Sequence, residues 1–155
     1  MKNNTSLYFT LIFFVVSNFF SQLSFSEDKI NFLSLKNNKV NLRQGPSFEY
    51  PIILVYKKKN LPVVVIDASE TWRKIKDFYN NSGWIHVSQL SKKKSGVNIK
   101  NESIVYKKPT IYSKPIVKLE LGRLVLIRKC KEKWCKIKTG DFTGWILKKY
   151  LWGKT

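Results

Sequence analysis

The sequence predicts an all-β protein in which two small β-barrels follow one another along the chain. Short runs rich in Val, Ile, Trp and Tyr alternate with Gly, Pro, Asn and Asp about every ten residues, as in small barrels. After the N-terminal segment, no stretch keeps the spacing of apolar residues that is typical of an α-helix. The third observation is an internal repeat, which indicates that one β unit occurs twice.

The repeat is centred on two Gly-Trp-Ile triplets. Gly83-Trp84-Ile85 and Gly144-Trp145-Ile146 lie 61 positions apart, and the same offset relates the β-branched run 61–66 to the run 122–127. A unit of this size is too small for most self-contained active sites. The repeat therefore favours a binding module over an enzyme.

Residues 1–26 have the pattern of a cleaved export signal. Lys2 precedes an apolar run over 7–20, and Ser24-Phe25-Ser26 supplies the small residues that a signal peptidase requires. The alternative is an uncleaved anchor, but polar residues interrupt the run before it reaches the roughly 20 residues that span a bilayer. We expect cleavage after Ser26, a periplasmic or secreted product, and no membrane span in the mature chain.

The chain is strongly basic, with 29 Lys and Arg against 10 Asp and Glu and a formal net charge of +19. A field of this sign concentrates anionic partners near the surface and weakens with salt. Because an exported protein meets envelope material, we expect cell-wall or another anionic envelope polymer, or an envelope protein, as partner, and no nucleic acid. The alternative is that the lysine enrichment follows from an AT-rich coding sequence.

Turn residues divide each half of the mature chain into five predicted strands. In the first half these lie near 39–42, 52–55, 61–66, 72–78 and 82–86, with a final turn through 88–90. In the second half they lie near 103–106, 116–119, 123–129, 134–139 and 143–147, closing through 150–151. The resulting organisation is a signal peptide at 1–26, a first barrel at 27–91, a linker at 92–98 and a second barrel at 99–155. Because domains of about 60 residues are marginally stable alone, we expect the two barrels to pack together.

Several motifs of the first half occur in a recognisable order and spacing. They are Val40-Asn41-Leu42-Arg43-Gln44-Gly45-Pro46-Ser47, Tyr50-Pro51-Ile52, the strand at 63–66, Trp72-Arg73-Lys74-Ile75 and Gly83-Trp84-Ile85. Together they resemble the bacterial SH3-like (SH3b) domain family. The resemblance implies two SH3-like barrels in tandem, largely non-catalytic, in a family linked to cell-wall or peptide binding.

The second half resembles a divergent relative found at the C-terminal end of exported proteins with tandem SH3-like domains. Its marks are Val105-Tyr106 with Pro109, Gly122, Cys130 followed by Trp134-Cys135, Gly144-Trp145-Ile146 and Leu151-Trp152-Gly153. It lacks the Asn-x-Arg-x-Gly-Pro signature of the first half. If that loop forms a ligand site in relatives, only the first barrel retains it.

The candidate ligand-binding residues are aromatic rings with lysines on the same strand face. Strand alternation places Trp72, Lys74 and Lys76 opposite Ile75, and in the second half it places Trp134, Lys136 and Lys138 opposite Cys135 and Ile137. A ring flanked by cations can stack on a sugar or peptide while the cations hold carboxylates or phosphates. The alternative is that the rings cover one end of each barrel and the lysines form a solvated face.

Arg43 has two interpretations in the first long loop. A hydrogen bond from its side chain back to the backbone would shape the loop, and this is the interpretation we favour. A direct contact with ligand is the alternative, so Arg43 joins the candidate site residues.

Cys130 and Cys135 are separated by four residues, which fits two facing strands of a hairpin. Export to an oxidising compartment favours a structural disulfide, and closing so short a loop contributes roughly 2 kcal/mol in the chain-entropy model. The alternative, a redox pair, lacks the two-residue spacing of thioredoxin-like motifs. A zinc site would need further ligands, so we expect no metal and no cofactor.

His86 is the only histidine of the chain, and no Ser or Cys lies beside it in sequence. A hydrolase needs a nucleophile, a base and an orienting group. The ten carboxylates form no paired arrangement at a recognisable spacing. We therefore expect a non-enzymatic protein without catalytic residues.

Overall fold

The structure, a computed structural model, describes residues 31–153 and residue 155 of the chain. Two antiparallel sheets of seven strands each make up the described part. The predicted export signal, residues 1–26, lies outside the described residues. Within the described ranges, no helix has the length and apolarity needed to cross a membrane.

The first sheet runs from the start of the described chain to Ser91. Its strands are β1 (Asn31–Leu35), β2 (Val40–Arg43), β3 (Ile52–Tyr56), β4 (Pro62–Ser69), β5 (Trp72–Lys76), β6 (Ser82–His86) and β7 (Leu90–Ser91). They lie in the order β3-β2-β6-β5-β4-β1-β7. A short 3-10 turn, Val87–Gln89, connects β6 to β7.

The second sheet repeats this order with the next seven strands. They are β8 (Ser95–Asn98), β9 (Ser103–Tyr106), β10 (Pro115–Leu119), β11 (Leu124–Lys131), β12 (Trp134–Thr139), β13 (Phe142–Leu147) and β14 (Leu151–Gly153). Their spatial order is β10-β9-β13-β12-β11-β8-β14, with a 3-10 turn at Lys148–Tyr150 before the last strand. The duplication predicted from the Gly-Trp-Ile triplets therefore extends to the whole topology, and the tandem all-β fold is confirmed.

Each sheet encloses its own apolar core, because alternate residues of every strand point inward. The first core consists of Leu35, Val40, Leu42, Tyr56, Val63, Ile75, Ile85 and Leu90. The second consists of Val105, Leu119, Val125, Ile127, Cys135, Ile137, Ile146 and Leu151. Ile75 and Ile137 occupy matching places, since each lies opposite the glycine of a Gly-Trp-Ile triplet.

Four strands, β1, β7, β8 and β14, have no counterpart among the predicted strands. The sequence predicts a linker over 92–98, whereas the structure places Ser95–Asn98 in the second sheet, between β11 and β14. All four residues of β8 are buried although three of them are Ser, Gly and Asn. Pairing on both sides satisfies their backbone groups, and polar composition alone does not reveal this.

The disulfide between Cys130 and Cys135 is present, as predicted. The two residues are direct partners in the register of β11 with β12. Cys135 belongs to the second core and the partly buried Cys130 packs against it, so the bond fastens the end of the hairpin to the core.

The two barrels contact each other through the last strand. The Trp152 ring lies 5.1 Å from the Phe32 ring, edge to face, and 5.7 Å from the Phe78 ring. Phe32 and Phe78 belong to the first barrel and Trp152 to the second. Aromatic pairs at these distances contribute about 0.5–1.5 kcal/mol each beyond area burial, so Trp152 helps to hold the two barrels together.

A buried carboxylate organises the turn after β5. Asp77 accepts hydrogen bonds from the Tyr56 hydroxyl (3.0 Å), from the backbone N–H groups of Tyr79 and Asn81 (2.8 and 2.9 Å), and from the Asn81 side-chain amide (2.8 Å). Burial of Tyr56 raises its pKa well above the usual value of a phenol, and the negative charge of Asp77 and the hydrogen bond to it act in the same direction.

Candidate functional site

The site on the first barrel is built around Trp72, the first residue of β5. Its strand neighbours follow the predicted alternation: Ile75 is fully buried in the core, whereas Lys76 on the other face is exposed. Trp72 itself is only 7% exposed, because other rings cover it. The Phe48 ring meets it edge-on at 4.9 Å, and the ring of His86, its partner on β6, lies 5.3 Å away.

Phe48 reaches Trp72 because the loop between β2 and β3, residues 44–51, folds back on itself. Arg43 donates through Nη1 to the Tyr50 carbonyl oxygen at 2.7 Å, and the Gln44 N–H donates to the Pro51 carbonyl oxygen at 3.1 Å. Gly45 lets the Tyr50 ring lie against the backbone, since a Cβ at residue 45 would come within 2.6 Å of that ring. The Arg43 guanidinium also lies 5.7 Å from the centre of the Phe48 ring.

An open cavity of about 300 Å³ lies at this loop. It is lined by Lys39, Asn41, Arg43, Phe48, Trp72, His86 and Gln89. Two cations, two side-chain amides, an imidazole and an exposed ring thus converge on one concave surface. A shallow cavity of this chemistry suits an extended polar ligand that carries carboxylates.

Hydrogen bonds from Ser88 indicate which tautomer the neutral His86 ring adopts at this cavity. The Ser88 backbone N–H donates to His86 Nδ1 at 3.3 Å, and the Ser88 hydroxyl lies 2.8 Å from the same nitrogen. Because Nδ1 is an acceptor, the proton of the neutral ring is assigned to Nε2. Nε2 is then a donor for a ligand, since none of the described residues accepts a hydrogen bond from it.

The cavity combines some of the predicted site residues with others that were not predicted from the sequence. Arg43 and Trp72 line it, but Lys74 and Lys76 do not, because they lie opposite Trp84 and Ser82 farther along the sheet. The missed residues are Lys39, Asn41, Phe48, His86 and Gln89. Phe48 was detectable in principle, as an aromatic residue in the loop that carries the family resemblance. The others depend on how distant segments meet.

The corresponding place on the second barrel has lost this polar character. Arg43 of the first barrel lies opposite Trp84, and the residue in the same place of the second barrel, opposite Trp145, is Tyr106. His86 lies opposite Trp72, and its counterpart opposite Trp134 is Leu147. The Trp134 ring packs edge to face on Tyr106 at 5.7 Å.

The two predicted lysines of β12 do not gather around Trp134. Lys136 lies opposite Trp145, and Lys138 lies opposite Thr143. Lys129 instead lies over a tryptophan, with its ammonium 5.9 Å from the centre of the Trp145 ring. Lys100 and Lys149 lie closer to a ring, at 4.6 and 5.3 Å from the centre of the Tyr150 ring. The predicted aromatic and cationic pattern is therefore dispersed along this sheet.

A larger cavity, of about 670 Å³, opens elsewhere on the second barrel. Its lining consists of Glu132, Lys133, Leu147, Lys148, Lys149, Leu151 and Thr155. Among the described residues, its lining contains no aromatic ring, and its cations are exposed surface lysines. Without a stacking surface it is a weaker candidate than the first-barrel cavity, despite its size.

The described residues thus form two small barrels in tandem, with an aromatic and cationic cleft on the first. The model of the bacterial SH3 domain family matches residues 36–92 and again residues 100–153. The chain therefore belongs to the bacterial SH3 domain family. Domains of this family are generally cell-wall-binding modules and are usually extracellular or associated with the envelope.

Among solved structures, the chain is similar to two proteins of Trichomonas vaginalis. NlpC2 is 16% identical, with a TM-score of 0.37 over 83% of this chain and 50% of that one. NlpC1 is 15% identical, with a TM-score of 0.36 over 81% of this chain and 46% of that one. The chain thus spans about half the length of these structures. Among curated proteins, none matches the sequence.

Proposed function

We propose that this protein is an exported, non-enzymatic binding module that holds cell-wall material, a peptide of peptidoglycan, in the first-barrel cavity. The observation that carries the proposal is the convergence of Arg43, Lys39 and Phe48 on one cavity beside His86. Family membership supports the same class of ligand.

Each group of the cavity suits part of a wall peptide. The exposed Phe48 ring, 68% accessible, offers an apolar surface for a small side chain. Lys39 and Arg43 attract carboxylates, and the Arg43 donors other than Nη1 remain for a ligand. The amides of Asn41 and Gln89 suit the amide groups of an extended chain, although Gln89 Oε1 already accepts from Asn37 at 2.8 Å.

Trp72 lies beneath this surface and supports the Phe48 ring. Because it is almost fully covered, its main role in the proposal is to support Phe48, and direct contact with ligand is limited to its exposed edge. Lys74, Lys76, Trp134, Lys136 and Lys138 are not placed in the site.

Export remains part of the proposal. Cleavage after Ser26 would leave Glu27 as the first residue and would deliver the protein to the periplasm or to the outside. Intact mass and N-terminal sequencing of the protein expressed from its full sequence test this step. A product that keeps residues 1–26 would contradict it.

A second candidate function is an adaptor that docks on another envelope protein, and one observation favours it. Strand β3 lies at the edge of the first sheet and exposes Ile52, Ile53 and Val55. The matching edge strand of the second sheet, β10, begins with Pro115 and exposes Lys118, two features that discourage strand pairing. Strand β3 has neither, so it could accept an extended segment of a partner.

Co-sedimentation with purified peptidoglycan sacculi tests the first function. The protein expressed from its full sequence is compared with Phe48→Ala and Lys39→Gln, and with Phe142→Ala as a control for an exposed ring of the second barrel. A salt series around 0.15 M separates site binding from diffuse attraction by the net charge. We expect both cavity variants to weaken retention at least about fivefold, which corresponds to about 1 kcal/mol.

The proposal is wrong if sacculi retain nothing even at low salt, where the net charge helps most. It is also wrong if the cavity variants and Phe142→Ala bind alike. A partner protein that co-purifies at fixed stoichiometry, insensitive to salt and lost on Ile53→Lys, would favour the adaptor function instead.

A further inference from the structure

The loop between β9 and β10, residues 107–114, is a second exposed feature that the wall-binding site does not use. Its base is closed by the Lys107 N–H, which donates to the Lys114 carbonyl oxygen at 3.0 Å, and by the Lys108 N–H, which donates to the Ser113 hydroxyl at 2.9 Å. Inside it, the Ser113 N–H donates to the Thr110 carbonyl oxygen at 3.2 Å. The loop is therefore a folded turn with Ile111 and Tyr112 at its tip.

Both tip residues are turned toward solvent. Tyr112 is 92% exposed and Ile111 is 57% exposed. In the matching loop of the first barrel the rings are also exposed, but each has a contact: Phe48 meets Trp72, and Tyr50 lies against Gly45. Among the described residues, no other ring lies against Tyr112.

The charges of this loop have one sign. Residues 107–114 contain three lysines and no acidic residue, whereas residues 44–51 contain one glutamate and no lysine. Lys107, Lys108 and Lys114 are all exposed, and they flank the apolar tip from both sides. An apolar and aromatic tip between cations is the chemistry of segments that rest in a membrane interface.

We propose that loop 107–114 docks the protein on an anionic lipid bilayer, with Ile111 and Tyr112 entering the headgroup region and the three lysines pairing with lipid phosphates. A bilayer fits better than a peptide or glycan. The tip is convex and offers no enclosure for a single chain, whereas tyrosine is well suited to the headgroup level, with its ring apolar and its hydroxyl hydrated. This surface and its ligand differ from those of the first-barrel cavity, so a negative result for one proposal does not contradict the other.

Vesicle co-sedimentation tests the proposal with the protein expressed from its full sequence. The vesicles are phosphatidylcholine alone, or phosphatidylcholine with about 30% phosphatidylglycerol to supply anionic headgroups. One variant removes the apolar tip, Ile111→Ser with Tyr112→Ser, and another removes the charges, with Lys107, Lys108 and Lys114 all changed to Gln. Phe142→Ser is the matched control, because Phe142 is also exposed but lines a different cavity with Glu120 and Arg123.

We expect binding to the anionic vesicles and little to phosphatidylcholine alone. The tip variant should bind at least about tenfold more weakly. The lysine variant should lose roughly a hundredfold, since each interfacial cation contributes about fivefold. Phe142→Ser should bind like the unchanged protein, and melting temperatures should be unaltered in all variants because the changed side chains are exposed.

Three results would overturn the inference. The first is that anionic vesicles do not bind the protein even at low salt. The second is that the tip variant binds them as well as the unchanged protein does, which would assign the attraction to diffuse charge. The third is that the tip variant no longer binds sacculi but still binds vesicles, which would make the loop a cell-wall-binding element.

Discussion

Replacement of Asp77 by alanine should be among the most damaging single changes in the first barrel. The carboxylate is 3% exposed and accepts four hydrogen bonds that hold the turn after β5 against the end of β3. Alanine removes all four acceptor contacts at once. The buried Tyr56 hydroxyl then loses the partner to which it donates.

The expected loss follows from which donors can reach water. The Tyr56 hydroxyl is buried, and a buried donor without a partner costs about 1–3 kcal/mol. The donors of Tyr79 and Asn81 lie in an exposed turn and regain water in part, so they add about 1–2 kcal/mol together. Asp77→Ala should therefore lower the free energy of unfolding by about 3 kcal/mol. Asp77→Asn should cost about half of that, because its one oxygen can still accept from the turn and Tyr56 can reverse its hydrogen bond.

Native-state hydrogen exchange read by mass spectrometry measures this loss in each barrel separately, and urea unfolding gives the total. Protection should fall in β5 and β6, which flank the turn, and in β3, whose end carries Tyr56. Thr139→Ala is the matched control, since Thr139 takes the place of Asp77 in the second barrel and bonds through its hydroxyl to Arg123 and Leu124 only. A loss below about 1 kcal/mol for Asp77→Ala, no larger than that of one neutral hydrogen bond, would show that the carboxylate does not hold this turn.

Three further predictions follow from other contacts. The free energy of unfolding should fall above about pH 10 by about 1.4 kcal/mol per pH unit, because the raised pKa keeps the proton on Tyr56 in the fold while the unfolded chain releases it. The free energy of unfolding of Tyr56→Phe should depend less steeply on pH in this range, and an equal slope would contradict the assignment. Trp152→Ala should let the barrels unfold in separate steps, which calorimetry would register as a broadened or double transition; one unchanged sharp transition would deny Trp152 that role. Changing Cys130 and Cys135 to Ser should cost roughly 2 kcal/mol in urea unfolding and leave sacculus binding intact, whereas loss of function with the fold preserved would favour a redox role.

Most of the fold was predictable because its signals are local. Strands β6, β9 and β12 begin and end where alternation and turn residues predicted, and the disulfide joins the two cysteines that hairpin spacing predicted. Side-chain alternation has a period of two residues, so it needs no knowledge of the neighbouring strand. Because the second half of the chain repeats the first, the same local signals predicted the second barrel.

The remaining features depend on which distant segments meet. The sequence predicts a linker in place of β8 because Ser95 and Gly96 carry no apolar pattern, and only their partners in β11 and β14 make them a strand. Trp72 and Arg43 were predicted as site candidates, but the cover of Phe48 over Trp72 depends on a loop that folds back through the Arg43 hydrogen bond.

Periodicity, turn chemistry and motif order are properties of neighbouring residues, so the class of protein, the two barrels and the cysteine bond were predictable before folding was considered. The cavity was not, because Lys39, Gln89 and His86 join Arg43 there, and Lys74 does not, only in the folded chain. Sheet order and loop closure bring residues of β2, β5, β6 and the turn after β6 to one end of the barrel, and no local pattern encodes that meeting.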